Sequence, residues 1–389
     1  MALTLPRLGR VDRLGALLVA LGAAALIFLP FVLFKSNRIM PGDPRSLLEA
    51  LPAWGALGCQ AVLLLTAIVA LGVADARVRL AAALLGVVAV SLAVAAAADA
   101  LTPAGNKVVR VAPGGAMWVL LVCLGLMATD AITRTRPGPG LRVLLLALFF
   151  LVAGAALAHG TFDNLSVLRE YAVNAGRFWR EAWRHVWLSV GSLAAAVVAG
   201  LPLGILCHRT PRLRTPILGV LNVIQTIPAI ALFGILMAPL GALAAAAPWA
   251  ERLGVRGIGA APALVALFLY ALLPIVANTV VGLKRVSRSA VDAARGMGMT
   301  GWQVLSGIEL LLALPVILTG IRVVLVQNIG MVTVAALIGG GGLGTFVFQG
   351  IGQTAIDLVL LGAIPIVALA FSAAVLLDAL VEVMDRGKA

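Results

Sequence analysis

The sequence predicts an all-α, polytopic membrane protein with about ten transmembrane helices, and three observations lead to that fold class. The chain has 389 residues, of which 62% are hydrophobic and 12% charged, with a mean hydropathy of +1.10. Soluble domains are much less apolar. The apolar residues fall into runs close to the ~20 residues that cross a bilayer, and short basic clusters separate these runs. An ordinary soluble enzyme is therefore excluded.

The ten predicted spans place both chain ends on the same side of the membrane. Lys and Arg residues outside the spans number 17 on that side and 11 on the other. The positive-inside rule therefore predicts that both termini are cytoplasmic. The net charge of +13 is explained by this topology and not by nucleic acid, because the basic residues form no continuous stripe. The spans are 14–34, 54–73, 80–98, 116–133, 143–158, 187–207, 216–238, 263–283, 304–326 and 355–379.

Composition divides the chain into three regions. Residues 1–158 are predicted to form an N-terminal five-helix extension, whose loops carry no motif that indicates chemistry. In residues 159–186, apolar residues such as Trp179 and Trp183 recur at helical spacing, with charged residues opposite. This pattern predicts an amphipathic helix in the membrane interface, with a docking surface for an external partner as the alternative. Residues 187–389 are predicted to be the transporting domain.

Polar and helix-breaking residues enter the apolar runs of this last region. Such side chains at membrane depth usually face a bundle interior or a wet cavity, which predicts a translocation path. Arg322 needs an acidic partner, for which Asp357 and Asp378 are candidates, whereas Glu309 is expected to reach water near the cytoplasmic end. The predicted path residues are Gln225, Pro228, Asn278, Arg322, Gln327 and Asn328.

The cytoplasmic loop 284–303 has the pattern of a displayed helix. A helix is predicted over Ser287–Arg295, in which Asp292 is spaced to pair with the basic residues on either side. Glycines at 296 and 298 then end the helix. A short helix of this kind suits the transfer of force to or from a soluble partner.

This loop resembles the "EAA" loop of permease subunits of binding-protein-dependent ABC importers. The resemblance lies in Asp292-Ala293-Ala294, Gly298 and Ile308-Glu309-Leu310, with Asp in place of the usual Glu and Leu311 in place of a final Pro. Further segments, including Gln225-Thr226-Ile227-Pro228 and the run IGGGGLGTFVFQG from Ile338, are similar to permeases for glycine betaine, choline and related osmoprotectants. The extension is similar to that of the larger permeases of low-affinity glycine betaine uptake.

The resemblance implies that Asp292, Ala293, Ala294 and Gly298 contact a cytoplasmic ABC ATPase. It also implies an external solute-binding protein, a second permease subunit that is the same or a sister chain, and a bacterial inner membrane. No metal or cofactor site is expected in this chain, with ATP and Mg bound by the ATPase. The run Gly339–Gly342 has no following Lys-Ser or Lys-Thr and is not a phosphate loop; a re-entrant turn or tight packing is expected there.

Three alternatives remain open on the sequence. The same machine can carry another small solute, such as an amino-acid derivative. An ion-coupled secondary transporter would have paired broken helices in both halves, which the plain first half does not indicate. An intramembrane enzyme would need clustered catalytic groups at depth, whereas His159, His185 and His208 lie in loops or at span ends.

Overall fold

The computed structural model describes residues 12–38, 40–106, 108–252 and 254–386, which divide into two compact units. The first unit comprises the described residues up to Gly138 together with Ala147–Val173. The second comprises Pro139–Leu146 and the described residues from Asn174 onwards. Two long helices contribute to both units, so each unit is described by its own packing.

The first unit is built from helices and one small sheet. Its sheet has the strand order β2-β1-β3, with both pairs antiparallel and Val32 of the central strand opposite Arg45 and Pro113. The elements are α1 (Arg13–Phe28), β1 (Val32–Lys35), β2 (Asp43–Arg45), α2 (Leu47–Ala50), α3 (Ala53–Gly72), α4 (Ala76–Leu101), β3 (Arg110–Pro113), α5 (Gly115–Thr135), part of α6 (Pro139–Ala158) and the start of α7 (Ser166–Arg209).

The first predicted span, 14–34, is shorter in the structure. Helix α1 ends at Phe28, and Leu29 is extended with φ −116° and ψ 147°. Pro30 causes this ending, because the residue before a proline is disfavoured in the helical region. The chain then continues as β1, in which Val32 is fully buried. The strand was missed because a short apolar run has the same hydropathy in a helix and in a strand.

A charged cluster joins α1, α4 and α5 at one end of the first unit. Arg79, whose side chain is almost fully buried, forms an ion pair with Asp12 and lies 3.6 Å from Asp130 (Nη2 to Oδ2). Arg134 Nε lies 2.9 Å from Asp130 Oδ2. Burial alone would raise the pKa of Asp12, but the hydrogen bond and charge of Arg79 outweigh it and lower that pKa. The cluster therefore keeps Asp12 ionised at neutral pH.

The second unit contains the remaining helices. It begins with the first turns of α6 and continues through α7, most of which belongs to it. The later elements are α8 (Pro211–Thr226), α9 (Ala229–Ala246), α10 (Pro248–Arg252), α11 (Ala260–Arg285), α12 (Arg288–Gly296), α13 (Gly301–Val304), a π turn (Leu305–Glu309), α14 (Leu310–Ala335), a 3₁₀ turn (Ala336–Ile338), α15 (Gly344–Gly352) and α16 (Ile356–Arg386).

The all-α, polytopic fold class is confirmed. Within the described part of the chain, nine helices are long and apolar enough to cross a membrane. They correspond in order to the second to tenth predicted spans. At the place of the first predicted span, 14–34, the structure has the shorter apolar helix α1.

Helix α7 differs from the prediction because it has 44 residues without interruption. The expected interfacial helix 159–186 and the sixth span are one helix, which begins at Ser166, so the predicted boundary at 186/187 lies inside it. No glycine or proline stands near that boundary to end the helix. Trp179 and Trp183 are exposed, and the placement of this segment in the membrane interface stays a prediction.

Candidate functional site

The loop 284–303 contains the predicted helix, which is α12. Ser287 is the N-cap, and its Oγ accepts a hydrogen bond from the amide of Ala290. Gly298 ends the helix with φ +84°, and its amide donates to Arg295 O at 2.9 Å. Met299 N donates to the carbonyl of Ala294 at 3.2 Å. These two bonds with a left-handed residue form a Schellman motif, for which glycine is the favoured residue.

Two of the predicted coupling side chains, those of Asp292 and Ala293, face solvent. Met297 and Trp302, which flank Gly298 in the chain, are 76% and 72% exposed. The third predicted side chain, that of Ala294, is only 1% exposed. Ala294 therefore packs α12 onto its own subunit, and its role as a contact for a partner stays a prediction.

The carboxylate of Asp292 has no ion-pair partner among the described residues. The pairs expected with Arg288 and Arg295 are not formed, although their spacing on α12 would allow them. Exposed pairs of this kind stabilise a helix by only a few tenths of a kcal/mol, so the side chains stay hydrated. The carboxylate of Asp292 is therefore accessible to solvent.

Glu309 is buried and paired, contrary to the expectation that it reaches water. It lies at the end of the π turn that precedes α14, and its side chain is 6% exposed. Arg209 Nη2, at the end of α7, lies 2.5 Å from Glu309 Oε2. The pair therefore joins the C-terminal end of α7 to the start of α14, next to the loop 284–303.

The predicted path residues begin at a helix break between α8 and α9. Pro228 interrupts the predicted span 216–238, because it holds Ile227 in an extended conformation with φ −70° and ψ 128°. Thr226 is therefore the last residue of α8, and Ala229 is the first of α9. The break leaves the carbonyl of Ile227 without a helical partner.

Pro274 lies inside α11, which continues through it, and two side chains join α11 to the break at Pro228. Pro274 has no N–H, so the carbonyl of Tyr270, four residues earlier, loses its helical donor. Gln225 Nε2 of α8 donates to Tyr270 O at 2.8 Å. In return, the Tyr270 hydroxyl donates to Ile227 O. Each freed carbonyl thus has a side-chain donor, which is how prolines are tolerated at membrane depth.

Asn278 lies one helical turn beyond Pro274, where α11 meets α14. Its Nδ2 donates to Pro274 O at 2.8 Å. A Cβ atom at Gly320 of α14 would lie 2.8 Å from Asn278 Cβ, so only glycine permits this approach. The half-buried Asn278 is therefore at a close helix contact.

Gln327 and Asn328 lie on the next turns of α14. Asn328 is fully buried, and its Nδ2 donates to Ser192 Oγ of α7 at 2.8 Å. Gln327 is half-buried and is 3.5 Å from Met331 Sδ. Asn328 is therefore a helix-to-helix contact, whereas Gln327 is only weakly held.

Arg322 is turned away from these residues and towards α16. It forms an ion pair with Asp378, one of the two acidic candidates from the sequence. Arg142 of α6 shares this carboxylate, with Nη1 at 2.8 Å from Asp378 Oδ2, and also binds Glu382 with Nη2 at 2.5 Å from Oε2. Two cations and two anions therefore meet between α6, α14 and α16.

Four residues in these contacts were not singled out from the sequence: Ser192, Arg209, Tyr270 and Arg142. The role of Tyr270 had a readable signal, because a proline four residues later frees its carbonyl. The role of Arg142 had none, since its partners lie about 240 residues away in the chain.

Comparison with known proteins finds two families along the chain. Residues 196–389 match the family described as the inner membrane component of binding-protein-dependent transport systems. Residues 12–168 match the N-terminal domain of the ABC transporter permease YehY.

Individual relatives match about half of this chain. The osmoprotectant import permease OsmW of Salmonella typhimurium is 44% identical over 197 residues, which are 51% of this chain and 86% of that protein. The carnitine transport permease OpuCB of Listeria monocytogenes is 37% identical over 190 residues, 49% of this chain and 80% of the relative. A solved inward-facing structure of the MetNI methionine ABC transporter is 22% identical, covers 53% of this chain and 95% of its own, and has a TM-score of 0.46.

Proposed function

Because this chain belongs to the family of binding-protein-dependent inner-membrane transport permeases, we propose that it is the permease of an importer for glycine betaine, carnitine, choline or a similar osmoprotectant. Relatives named for these solutes support the substrate class, among them a glycine betaine/carnitine/choline permease of Bacillus subtilis that is 32% identical over 213 residues. The family is one of membrane-spanning transport subunits, so this chain moves solute and does not hydrolyse ATP.

The observation that carries the mechanism is the exposed coupling segment. Helix α12 presents Asp292 and Ala293 to solvent, and Gly298 turns the chain so that Met297 and Trp302 are exposed beside them. A charged, partly apolar surface of this kind suits a cytoplasmic protein partner. That partner is an ABC ATPase, which binds ATP and Mg in place of this chain.

The other partners follow from the family's mode of action. An external solute-binding protein delivers the solute, and a second permease, identical or a sister chain, completes the membrane path. Both termini lie in the cytoplasm of a bacterial cell, as the distribution of basic residues supports. Choosing the solute is the task of the binding protein, because a quaternary ammonium needs an aromatic cage and only 5% of this chain is aromatic.

The translocation path uses the more accessible of the predicted residues. Pro228 is exposed, and Asn278 and Gln327 are partly accessible, so these three line the path, whereas Arg322 is held towards α16 by Asp378. Gln225 and Asn328 stabilise the helices that form the path, because their amide groups are hydrogen-bonded to neighbouring helices. The path is thus weakly polar, as suits a solute that must be released quickly.

Uptake of radiolabelled glycine betaine tests the proposal in cells that lack other osmolyte transporters and express the complete operon. Asp292→Lys is expected to abolish uptake while the protein still reaches the membrane. Asp385→Lys is the matched control, because it makes the same charge change at an exposed acid outside the coupling segment. Gly298→Trp is expected to behave like Asp292→Lys.

Each outcome has a separate meaning. Uptake that survives Asp292→Lys would contradict the coupling role of α12. If the intact operon takes up no glycine betaine, competition with carnitine, choline and amino-acid derivatives determines the solute, and a null result with all of them would overturn the substrate class.

A further inference from the structure

The first half of α7 makes contacts that the family comparisons leave unassigned. Residues 169–195 lie between the two matched regions, 12–168 and 196–389. With 44 residues, α7 is about 66 Å long, roughly twice the thickness of the hydrocarbon core. Its second half is the span, so the residues around Glu181 lie at or beyond the outer end of the membrane in the proposed topology.

One face of this segment contacts the glycine turn, Gly339–Gly342, which lies between α14 and α15. Glu181 Oε2 accepts a hydrogen bond from Gly342 N at 2.7 Å. Arg184 Nη2 donates to Gly339 O at 3.4 Å. Three glycines of the turn have positive φ, and a Cβ at Gly341 would lie 2.7 Å from Arg184 Cδ. The turn is therefore shaped to receive these side chains.

Helix α7 also contacts the two helices that precede and follow the turn, α14 and α15. Buried His185 donates from Nε2 to Ile329 O at 2.9 Å, next to the bond between Asn328 and Ser192. Arg177 Nη1 donates to Gln349 Oε1 of α15 at 2.8 Å, and its guanidinium lies 5.2 Å from the ring centre of Phe346. Helix α7 thus binds the outer half of α14, the turn and α15 along one continuous face.

We propose that Glu181, supported by Arg184 and His185, is a positioning residue that sets the outer end of the translocation path by holding the turn at Gly342. This inference rests on the proposed function, because the turn follows the helix that carries Arg322, Gln327 and Asn328. Displacing the turn displaces the outer end of α14, so the contact links the state of the outer opening to the rest of the transport cycle.

Three variants of the full-length protein separate positioning from general stability. Glu181→Ala removes the acceptor for Gly342 N. Glu181→Gln keeps an oxygen at nearly the same place and is the conservative variant. Arg180→Ala is the matched control, because Arg180 is adjacent in sequence and its side chain is exposed.

Hydrogen exchange of the Gly342 amide, measured on the intact protein in lipid nanodiscs, tests the contact without any solute. Glu181→Ala is expected to accelerate exchange roughly five- to tenfold, the effect of losing one hydrogen bond. Glu181→Gln and Arg180→Ala are expected to exchange like the parent protein. Unchanged exchange in Glu181→Ala would overturn the assignment.

ATP hydrolysis and uptake by the transporter assembled with its ATPase test the consequence. In Glu181→Ala, the rate of ATP hydrolysis without binding protein is expected to rise, while the amount of glycine betaine transported per ATP falls. In Glu181→Gln, both quantities are expected to equal those of the parent protein. A proportional loss of both activities, or no change in either, would refute the positioning role. If the parent protein transports no glycine betaine, the substrate proposal fails. Amide exchange at Gly342 and ATP hydrolysis still test the positioning role of Glu181.

Discussion

The reciprocal contact between α11 and the break at Pro228 predicts an energetic coupling between Gln225 and Pro274. In the parent protein, Gln225 Nε2 supplies the donor that Pro274 removes from Tyr270 O. Gln225→Leu leaves that carbonyl unsatisfied at membrane depth, which costs about 1–2 kcal/mol. Pro274→Ala restores a backbone N–H four residues after Tyr270, so the side-chain donor is no longer needed.

The double-mutant cycle gives the expected magnitude. In the Pro274→Ala background, Gln225→Leu is expected to cost less than about 0.5 kcal/mol, which leaves a coupling energy of about 1 kcal/mol. Unfolding in mixed micelles, followed by the fluorescence of the seven tryptophans while the fraction of SDS increases, measures each free energy of unfolding. Gln327→Leu is the control, because Gln327 contacts Met331 and is expected to be additive with Pro274→Ala.

Additive effects of Gln225→Leu and Pro274→Ala, within about 0.3–0.5 kcal/mol, would refute the reasoning. They would mean that the amide of Gln225 does not replace the missing backbone donor. A coupling that appears equally with Gln327→Leu would mean that Pro274→Ala changes the whole helix, and the contact would again lose its assigned role.

Three further predictions concern the charged contacts and the coupling loop. Glu309→Gln is expected to cost about 1–2 kcal/mol in the same unfolding assay, less than a fully buried pair because Arg209 is 40% exposed; an unchanged midpoint would contradict the pairing. Arg142→Glu is expected to lower the amount of folded protein in the membrane, and adding Glu382→Arg to restore it, whereas failure of the reversed pair to rescue would argue against a direct contact. Gly298→Ala places an L-residue at φ +84° and is expected to cost about 1–2 kcal/mol, seen as faster amide exchange at the end of α12 with the rest of the protein unchanged.

Hydropathy predicted the membrane helices well, because the energetic cost of polar groups in lipid leaves a signal about 20 residues long. The predicted span boundaries were wrong at two places where a proline ended a helix within an apolar run. Pro30 ended α1 early, and Pro228 divided the run 216–238 between α8 and α9. In both places the rule for the residue before a proline was a better guide than mean hydropathy.

The helix in the coupling loop could be predicted because its signals are local: a serine N-cap, helical spacing and a glycine stop. The burial of Ala294 could not be predicted, because it depends on how α12 packs against the elements that follow. The ion pairs show the same limit over longer distances. The charge of Arg322 and its depth in a span indicated that it needs an acidic partner. Only the fold shows that this partner is Asp378 and that Arg142 binds the same carboxylate.

The sharing of Asp378 between Arg142 and Arg322 has a consequence for how the protein is made. Arg142 precedes Asp378 by 236 residues, so at 5–20 residues per second about 12–47 s pass before its partner is synthesised. During that interval Arg142 waits for both of its carboxylate partners, and its long side chain can reach the lipid headgroups. The arrival of α16 then completes the site, so a helix that is synthesised late fixes the position of the first turns of α6, which are made much earlier.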